Sequence, residues 1–258
     1  MVDNKANKIS AIIQARMGSS RLPGKVLMKI SGKPVLWHII ERLRPSKFIN
    51  QIILAIPNTR ENDVLEQFAL KNSIKYYRGS ENNVLERFYL AAKENNCNVV
   101  VEITADKPLI DPEIVDLVIE RHLSRKSDYS FTHYLPKFLP IGLDAGILNF
   151  QALELAYKNA KEDYQKEHVT SYFYENQDVF KITSINPPKR LENPSLRLTL
   201  DTKEDLELIT KIYKKLYKTG KIFKTKEILK LINKNPELKE INSHIVQKNR
   251  KIYASKVS

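Results

Sequence analysis

The chain has 258 residues and a single cysteine, and no apolar run in it approaches the roughly 20 residues that a membrane-spanning helix needs. One cysteine excludes an internal disulfide and a cysteine-based zinc cluster; with a polar start leading straight into a strand-like run, no secretory signal is expected and a cytoplasmic enzyme is. The formal net charge is +13, but fourteen Lys and Arg against three Glu fall in residues 211–258, which leaves only +2 on the rest and argues against a nucleic-acid-binding face.

The first element expected in chain order is a β-branched strand over residues 9–14. It stops at a loop, Ala15-Arg16-Met17-Gly18-Ser19-Ser20-Arg21-Leu22-Pro23-Gly24-Lys25, that holds two glycines and three cations. Small residues let backbone N–H groups close around an anion, and Arg16, Arg21 and Lys25 neutralise it. The chemistry is that of a triphosphate seat. It is not a Walker A loop, because five residues separate Gly18 from Gly24 and Val26 follows Lys25. The dinucleotide spacing G-x-G-x-x-G is absent as well.

Further strands are expected over 51–56, 74–77 and 98–104, with helical patterns between them over 34–43, 61–71, 83–96 and 112–125. Pro34 and Pro112 suit first helical turns, where a missing N–H costs nothing. The alternation predicts an α/β fold: a mostly parallel twisted sheet with helices on both faces. Ligands on such sheets gather at the carboxyl ends of the strands, where the 18–25 loop and Asp106 both fall. The second half is less regular. A strand is expected over 129–132, a Pro- and Gly-bearing loop over 133–146, and helices from Phe150 and over 167–174. Strands over 180–185 and 196–200 and a helix over 203–216 follow. Near the C-terminus, Ile222, Phe223, Ile228, Leu229, Leu231 and Ile232 read as one buried helix face with solvated lysines opposite. With no repeat and no linker, residues 1–258 are expected to form one domain, with 133–185 as an acceptor-side region and 203–258 as a helical C-terminal region.

Two aspartates follow apolar strand-like runs. Asp106 ends Val99-Val100-Val101-Glu102-Ile103-Thr104, and Asp201 ends Leu196-Arg197-Leu198-Thr199-Leu200. Carboxylates there suit Mg²⁺, a hard ion that takes oxygen ligands and bound phosphates. Asp106 equally suits the turn before Pro108, and Asp201 with Glu204 equally suits a helix cap and capping box. A parallel sheet would bring the two aspartates side by side, with the phosphate loop next to them. Arg78-Gly79-Ser80 ends another strand at that edge and suits either a ligand contact or a tight turn with Gly79 at positive φ. Arg87 fits a surface cation as well as a site residue.

The loop resembles the N-terminal signature of the cytidylyltransferase family, which activates acylneuraminate and 3-deoxy-manno-octulosonate as CMP-sugars, and within it the branch named for spore-coat polysaccharide biosynthesis. Arg78-Gly79-Ser80-Glu81 with Val84-Leu85-Glu86-Arg87, Ala105-Asp106-Lys107-Pro108-Leu109-Ile110-Asp111-Pro112, Glu167-His168-Val169-Thr170 and Leu196–Asp201 match that branch in order, as do Asn235-Pro236-Glu237-Leu238 and Ile241-Asn242. The resemblance therefore spans nearly the whole chain. It implies a Rossmann-like nucleotidyltransferase fold of GT-A type and a Mg²⁺-dependent transfer of CMP from CTP to a sugar or sugar-phosphate acceptor with loss of pyrophosphate. By resemblance, Ala15, Arg16, Gly18, Ser19, Ser20, Arg21, Lys25, Arg78, Gly79 and Ser80 hold the nucleotide, and Arg16, Lys25, Asp106 and Asp201 carry catalysis, the aspartates as metal ligands. His133, Gly142, Asp144, Glu167 and His168 face the acceptor. The expected partners are a nucleoside triphosphate, CTP favoured, and a small molecule, with no nucleic acid and no membrane; the wider family also allows a homodimer. A glycosyltransferase using a ready-made nucleotide sugar, or a transferase for another triphosphate or a non-sugar acceptor, stays open; the chain has no D-x-D motif. The chain departs from the branch twice. Gly146 stands where G-L-D-x-E has its acid, and Lys107 stands where D-C-P has its cysteine.

Overall fold

The computed structural model describes residues 8–132 and 139–246. Its centre is a seven-stranded sheet made of β1 (Ile9–Gln14), β2 (Gln51–Pro57), β3 (Lys75–Gly79), β4 (Val99–Thr104), β5 (Tyr129–Thr132), β6 (Gly146–Asn149) and β7 (Ile182–Ile185). The spatial order is β3-β2-β1-β4-β6-β5-β7, and β6 alone runs against its neighbours. The sheet is thus mostly parallel, as expected. Ile13 lies opposite both Leu54 and Ile103, so β1, β2 and β4 end at one common edge.

The central strands are apolar at consecutive positions because each face of the sheet has its own core. Ile9, Ala11 and Ile13 face one core with Val99, Val101 and Ile103, whereas Ile12 and Val100 face the other. The first core is covered by α1 (Val35–Leu43), α2 (Asp63–Lys71), α4 (Pro112–Arg125), α8 (Lys203–Leu216) and α9 (Thr225–Lys234). The second is covered by α3 (Val84–Glu94), α5 (Phe150–Asn159) and α7 (Ser171–Glu175). Side chains alternate along a strand, so Gln14, Glu102 and Thr104 also turn toward the second face, at the carboxyl edge. That parity decides on which side of the sheet the cleft opens.

The helices follow from local signals. Asp111 accepts from the backbone N–H of Glu113 at 3.0 Å, with Pro112 as the first helical residue of α4. Asn83 caps α3 through the N–H of Glu86 at 3.0 Å. Four expectations are corrected. Residues 196–200 form no strand of the sheet: they make one parallel bridge, Ile141 to Arg197, and the Leu200 N–H donates to Asp106 O at 2.8 Å. The loop placed over 133–146 ends in a strand, β6, whose two apolar residues Ile147 and Leu148 are too short a run to show a period. The helix placed over 167–174 is two short helices, α6 (Asp163–Glu167) and α7, with His168 in extended backbone between them. Ile222 and Phe223 precede α9 rather than lying on it, although Phe223 is buried in the same core.

Gly142 stands at φ +98°, and a Cβ there would come within 2.5 Å of the Thr199 backbone nitrogen. Gly32, in the Ser31-Gly32 turn of a two-residue hairpin, has φ +81° but open space around it. Gly142→Ala is therefore expected to cost roughly 2–4 kcal/mol, and Gly32→Ala only about 1 kcal/mol, in urea unfolding. Equal costs at the two sites would show that the backbone contact at Gly142 carries no stability.

Candidate active site

The loop after β1 is folded onto its own backbone. Met17 O accepts from the N–H of Ser19 at 2.9 Å and of Gly24 at 3.0 Å, and the buried Asn62 side chain accepts from Met17 N at 2.9 Å. Arg16, Ser19, Ser20, Arg21 and Lys25 then line one cleft at the carboxyl edge, together with Ala15 and Gln14 from the end of β1. Its floor is Glu102, Thr104 and Asp106 from β4 and its continuation. Its walls are Val84 and Arg87 of α3 on one side and Glu167, His168 and Val169 on the other. Asp201 closes it.

Asp106 and Asp201 meet here, as expected. Lys25 Nζ lies 2.8 Å from Asp201 Oδ1 and 4.0 Å from Asp106 Oδ2, so one ammonium spans the two carboxylates. It also donates to Leu200 O at 2.7 Å. Arg21 Nη2 reaches Asp201 Oδ2 at 2.9 Å, and Arg197 Nη2 reaches the same oxygen at 2.9 Å. Burial pushes the Asp201 carboxyl up, but Lys25, Arg21 and Arg197 outweigh it and hold the group below its usual 3.8.

Beneath Asp201 lies a carboxylate that spacing alone did not reveal. Asp205 is fully buried and accepts from Arg197 Nε at 2.8 Å, Asn242 Nδ2 at 2.8 Å and the backbone N–H of Asp201 and Thr202 at 2.9 and 3.0 Å. Thr202 is the cap of α8, in a capping box with Asp205. Asp201 is not the helix cap, so its side chain is left to the cleft. The signal was present as Thr202-x-x-Asp205, displaced by one residue from the pairing of Asp201 with Glu204.

Other expected residues fall elsewhere. Arg78 turns away from the cleft: it ion-pairs with Asp63 at 2.6 Å and with Glu66, and donates to Thr59 O at 3.1 Å. Gly79 has no positive φ; it is glycine for room, since a Cβ would stand 2.7 Å from the Tyr77 ring and 3.1 Å from Arg87 Cγ. Ser80 and Glu81 receive Arg87 Nη1 on their carbonyls, so this segment frames Arg87 rather than lining the cleft itself. Gly18 also stays outside the lining, with its Cα facing Glu61. His133 lies outside the described residues. Gly142 packs on Leu198–Thr199, and Asp144 pairs with Lys107 at 2.6 Å beside the cleft. Burial opposes the Lys107 charge, but Asp144, Asp106 and Glu102 more than compensate and raise its pKa. The lysine that replaces the branch's cysteine thus has its own carboxylate. The missing acid at 146 also has a counterpart: Glu102 lies opposite Gly146 in register, and its Oε2 is 3.1 Å from where a residue-146 Cβ would be.

Mg²⁺ keeps several waters and phosphate oxygens and needs only one or two protein carboxylates. Asp106 and Asp201, both hard oxygen donors on one cleft, fit such an ion held jointly with a polyphosphate. Among the described residues no group of three or more His, Cys, Asp or Glu could hold a metal by itself, and no helix is long and apolar enough to cross a membrane.

The family model of the cytidylyltransferases matches residues 10–235. Among curated proteins, the uncharacterized protein MJ1063 of Methanocaldococcus jannaschii is 40% identical over 93% of this chain and 97% of its own length. The spore coat polysaccharide biosynthesis protein SpsF of Bacillus subtilis is 34% identical over 90% of this chain and 96% of its own. A solved cytidylyltransferase of Leptospira borgpetersenii serovar Hardjo-bovis superposes with a TM-score of 0.83 at 31% identity, covering 94% of this chain and all of that one.

Two outcomes follow from the charge network. Asp205→Ala strands Arg197 in the interior and is expected to cost about 3–5 kcal/mol in urea unfolding; a loss under about 1 kcal/mol would mean that Asp205 is not the anchor. A carboxylate held below its unfolded pKa stabilises the fold above that value and stops doing so as pH falls through the folded one. The stability difference between wild type and Asp201→Asn is therefore expected to shrink from about pH 5 to pH 2. A difference that stays constant over that range would contradict the ion pairing of Asp201.

Proposed function

The chain belongs to the cytidylyltransferase family, and from that premise we propose that it transfers CMP from CTP to a sugar or sugar-phosphate acceptor of surface-polysaccharide synthesis, with Mg²⁺ and with release of pyrophosphate. The observation that carries this reading is the Lys25 ammonium set between Asp201 and Asp106 at the mouth of an anion-accepting loop. The name of the Bacillus relative supports a polysaccharide setting.

Arg16, Arg21 and Lys25 bind the triphosphate, with the Ser19 and Ser20 hydroxyls and the backbone around Ala15 completing the seat. Arg gives bidentate contacts and Lys a point charge, so the three are not interchangeable. Lys25 and Arg21 exchange the Asp201 carboxylate for phosphate oxygens, which frees Asp201. Asp106 and Asp201 would hold Mg²⁺, which when bound polarises the α-phosphate and offsets charge there. An acceptor oxygen attacks the α-phosphorus as the bond to the β-phosphate oxygen breaks, and pyrophosphate leaves with that electron pair. Such transfers depend chiefly on positioning and on charge neutralisation. Glu102, Glu167 and His168 face the acceptor, with the Lys107–Asp144 pair behind them.

Pyrophosphate release, followed with CTP, UTP, ATP and GTP across a panel of sugar acids and sugar phosphates, tests the proposal. CTP alone is expected to support it; equal release from all four triphosphates would overturn the nucleotide assignment. Lys25→Ala and Asp106→Asn are expected to lower turnover on the order of 10²-fold with the circular dichroism spectrum unchanged. Wild-type turnover in either variant would remove that residue from the mechanism.

A further inference from the structure

Arg87 is 2% exposed, on the first turns of α3, and lines the cleft. Among the described residues no carboxylate lies within ion-pairing distance of it. Its Nη1 donates to the carbonyls of Ser80 and Glu81, and its Nε is a buried donor with no hydrogen-bond partner. Other buried cations are better matched. Arg197 is paired with Asp201 and Asp205, and Lys107 with Asp144. Arg42, buried like Arg87, has Nε and Nη2 on the carbonyls of Ile110 and Phe223 and its guanidinium 4.5 Å from the Phe223 ring centre.

A guanidinium taken out of water without an anion is unfavourable, and here a second cation makes it worse. Burial, and then the charge of Arg16, push the Arg87 pKa down to about 10. Arg16 has no ion pair with a described carboxylate either, and it lines the same cleft. Two arginines that repel each other across a cleft wall, one of them desolvated, have no ion-paired carboxylate among the described residues, and Glu81 offsets the Arg87 charge only from beyond ion-pairing distance. At the other end of the cleft, by contrast, Arg21 and Lys25 share Asp201 as counter-ion.

We propose that Arg87, with Arg16, forms an oxyanion subsite in the wall of the cleft, distinct from the Arg21–Lys25 end, that receives a phosphate or carboxylate group of a bound ligand. The group belongs either to the nucleotide, as its α-phosphate, or to an anionic acceptor. Gly79 is part of this subsite, since a side chain there would meet the Arg87 stem at 3.1 Å. The subsite rests on the cleft being the nucleotide site, and the probes below keep the two claims separate.

The experiment is calorimetric titration of wild type, Arg87→Gln and Arg87→Lys with cytidine, CMP, 3-deoxy-manno-octulosonate and inorganic phosphate. Arg87→Gln is expected to weaken the probe that seats its oxyanion there at least tenfold while cytidine, which has none, binds as in wild type. A loss for CMP assigns the group to the nucleotide; a loss for the sugar acid alone assigns it to the acceptor. Arg87→Lys keeps the charge and is expected to recover part of the loss, and no recovery would overturn the electrostatic assignment. Unchanged affinity for every probe overturns the subsite, and so does an equal loss for cytidine, which would make Arg87 a support of the 80–81 turn only. Failure of wild type to bind cytidine or CMP overturns the cytidylyltransferase reading instead; inorganic phosphate then tests Arg87 alone, and equal phosphate affinity in wild type and Arg87→Gln overturns it.

Discussion

The cleft depends on one buried carboxylate. Asp205 is fully enclosed and takes four donors: a guanidinium, an amide side chain and two backbone N–H groups. It fixes Arg197, Arg197 fixes Asp201, and Asp201 gathers Lys25 and Arg21 from the other end of the chain. Removing one member of such a network leaves a charge stranded in low dielectric, so the network is all or nothing. Its worth to the protein lies less in stability than in position. Cations and carboxylates already ordered within a few ångströms have only to exchange partners, not to be assembled, when a charged ligand arrives.

The sheet supplies the second constraint. Parity along β1 and β4 sends Gln14, Glu102 and Thr104 to the same face as Ile12 and Val100, toward α3 and α7. The other face is covered by α1, α4 and α8. The loop after β1, the turn after β4 and the segment before α8 then converge above one half of the sheet. Their meeting follows from strand direction and side-chain alternation before any specific contact is made.

How much of this was legible depended on whether the signal was local. The strands Ile9–Gln14 and Tyr129–Thr132 and the helices Pro112–Arg125 and Lys203–Leu216 begin and end where periodicity and capping put them. The meeting of Asp106 with Asp201 was expected by a route the structure does not take: residues 196–200 are no strand of the sheet, and the Leu200 N–H bond to Asp106 O at 2.8 Å brings the two aspartates together. Residues 196–200 have the apolar alternation of a strand, yet their backbone bonds go to Ile141 and Asp106, which lie outside the strands, rather than to a strand of the sheet. Arg78 looked like a site residue from its place at a strand end, but Asp63 and Glu66 on the adjacent helix hold its guanidinium. Arg87 reads in sequence as any helical arginine; only its burial sets it apart. Lys107 and Gly146 read as losses, and each is answered by a residue from another element, Asp144 and Glu102.

Gly142 has a mechanical side. Ile141 N–H donates to Leu196 O at 2.9 Å, Leu198 N–H donates to Ile141 O at 2.7 Å, and Gly142 lies against the Leu198–Thr199 backbone with no side chain between them. Backbone packed on backbone has no rotamer to flex and little volume to compress. The segment that carries Asp144 and the segment that carries Arg197 and Asp201 are therefore fastened backbone to backbone. The position of the Asp144 segment is thereby tied to that of the segment that presents Asp201 to Lys25.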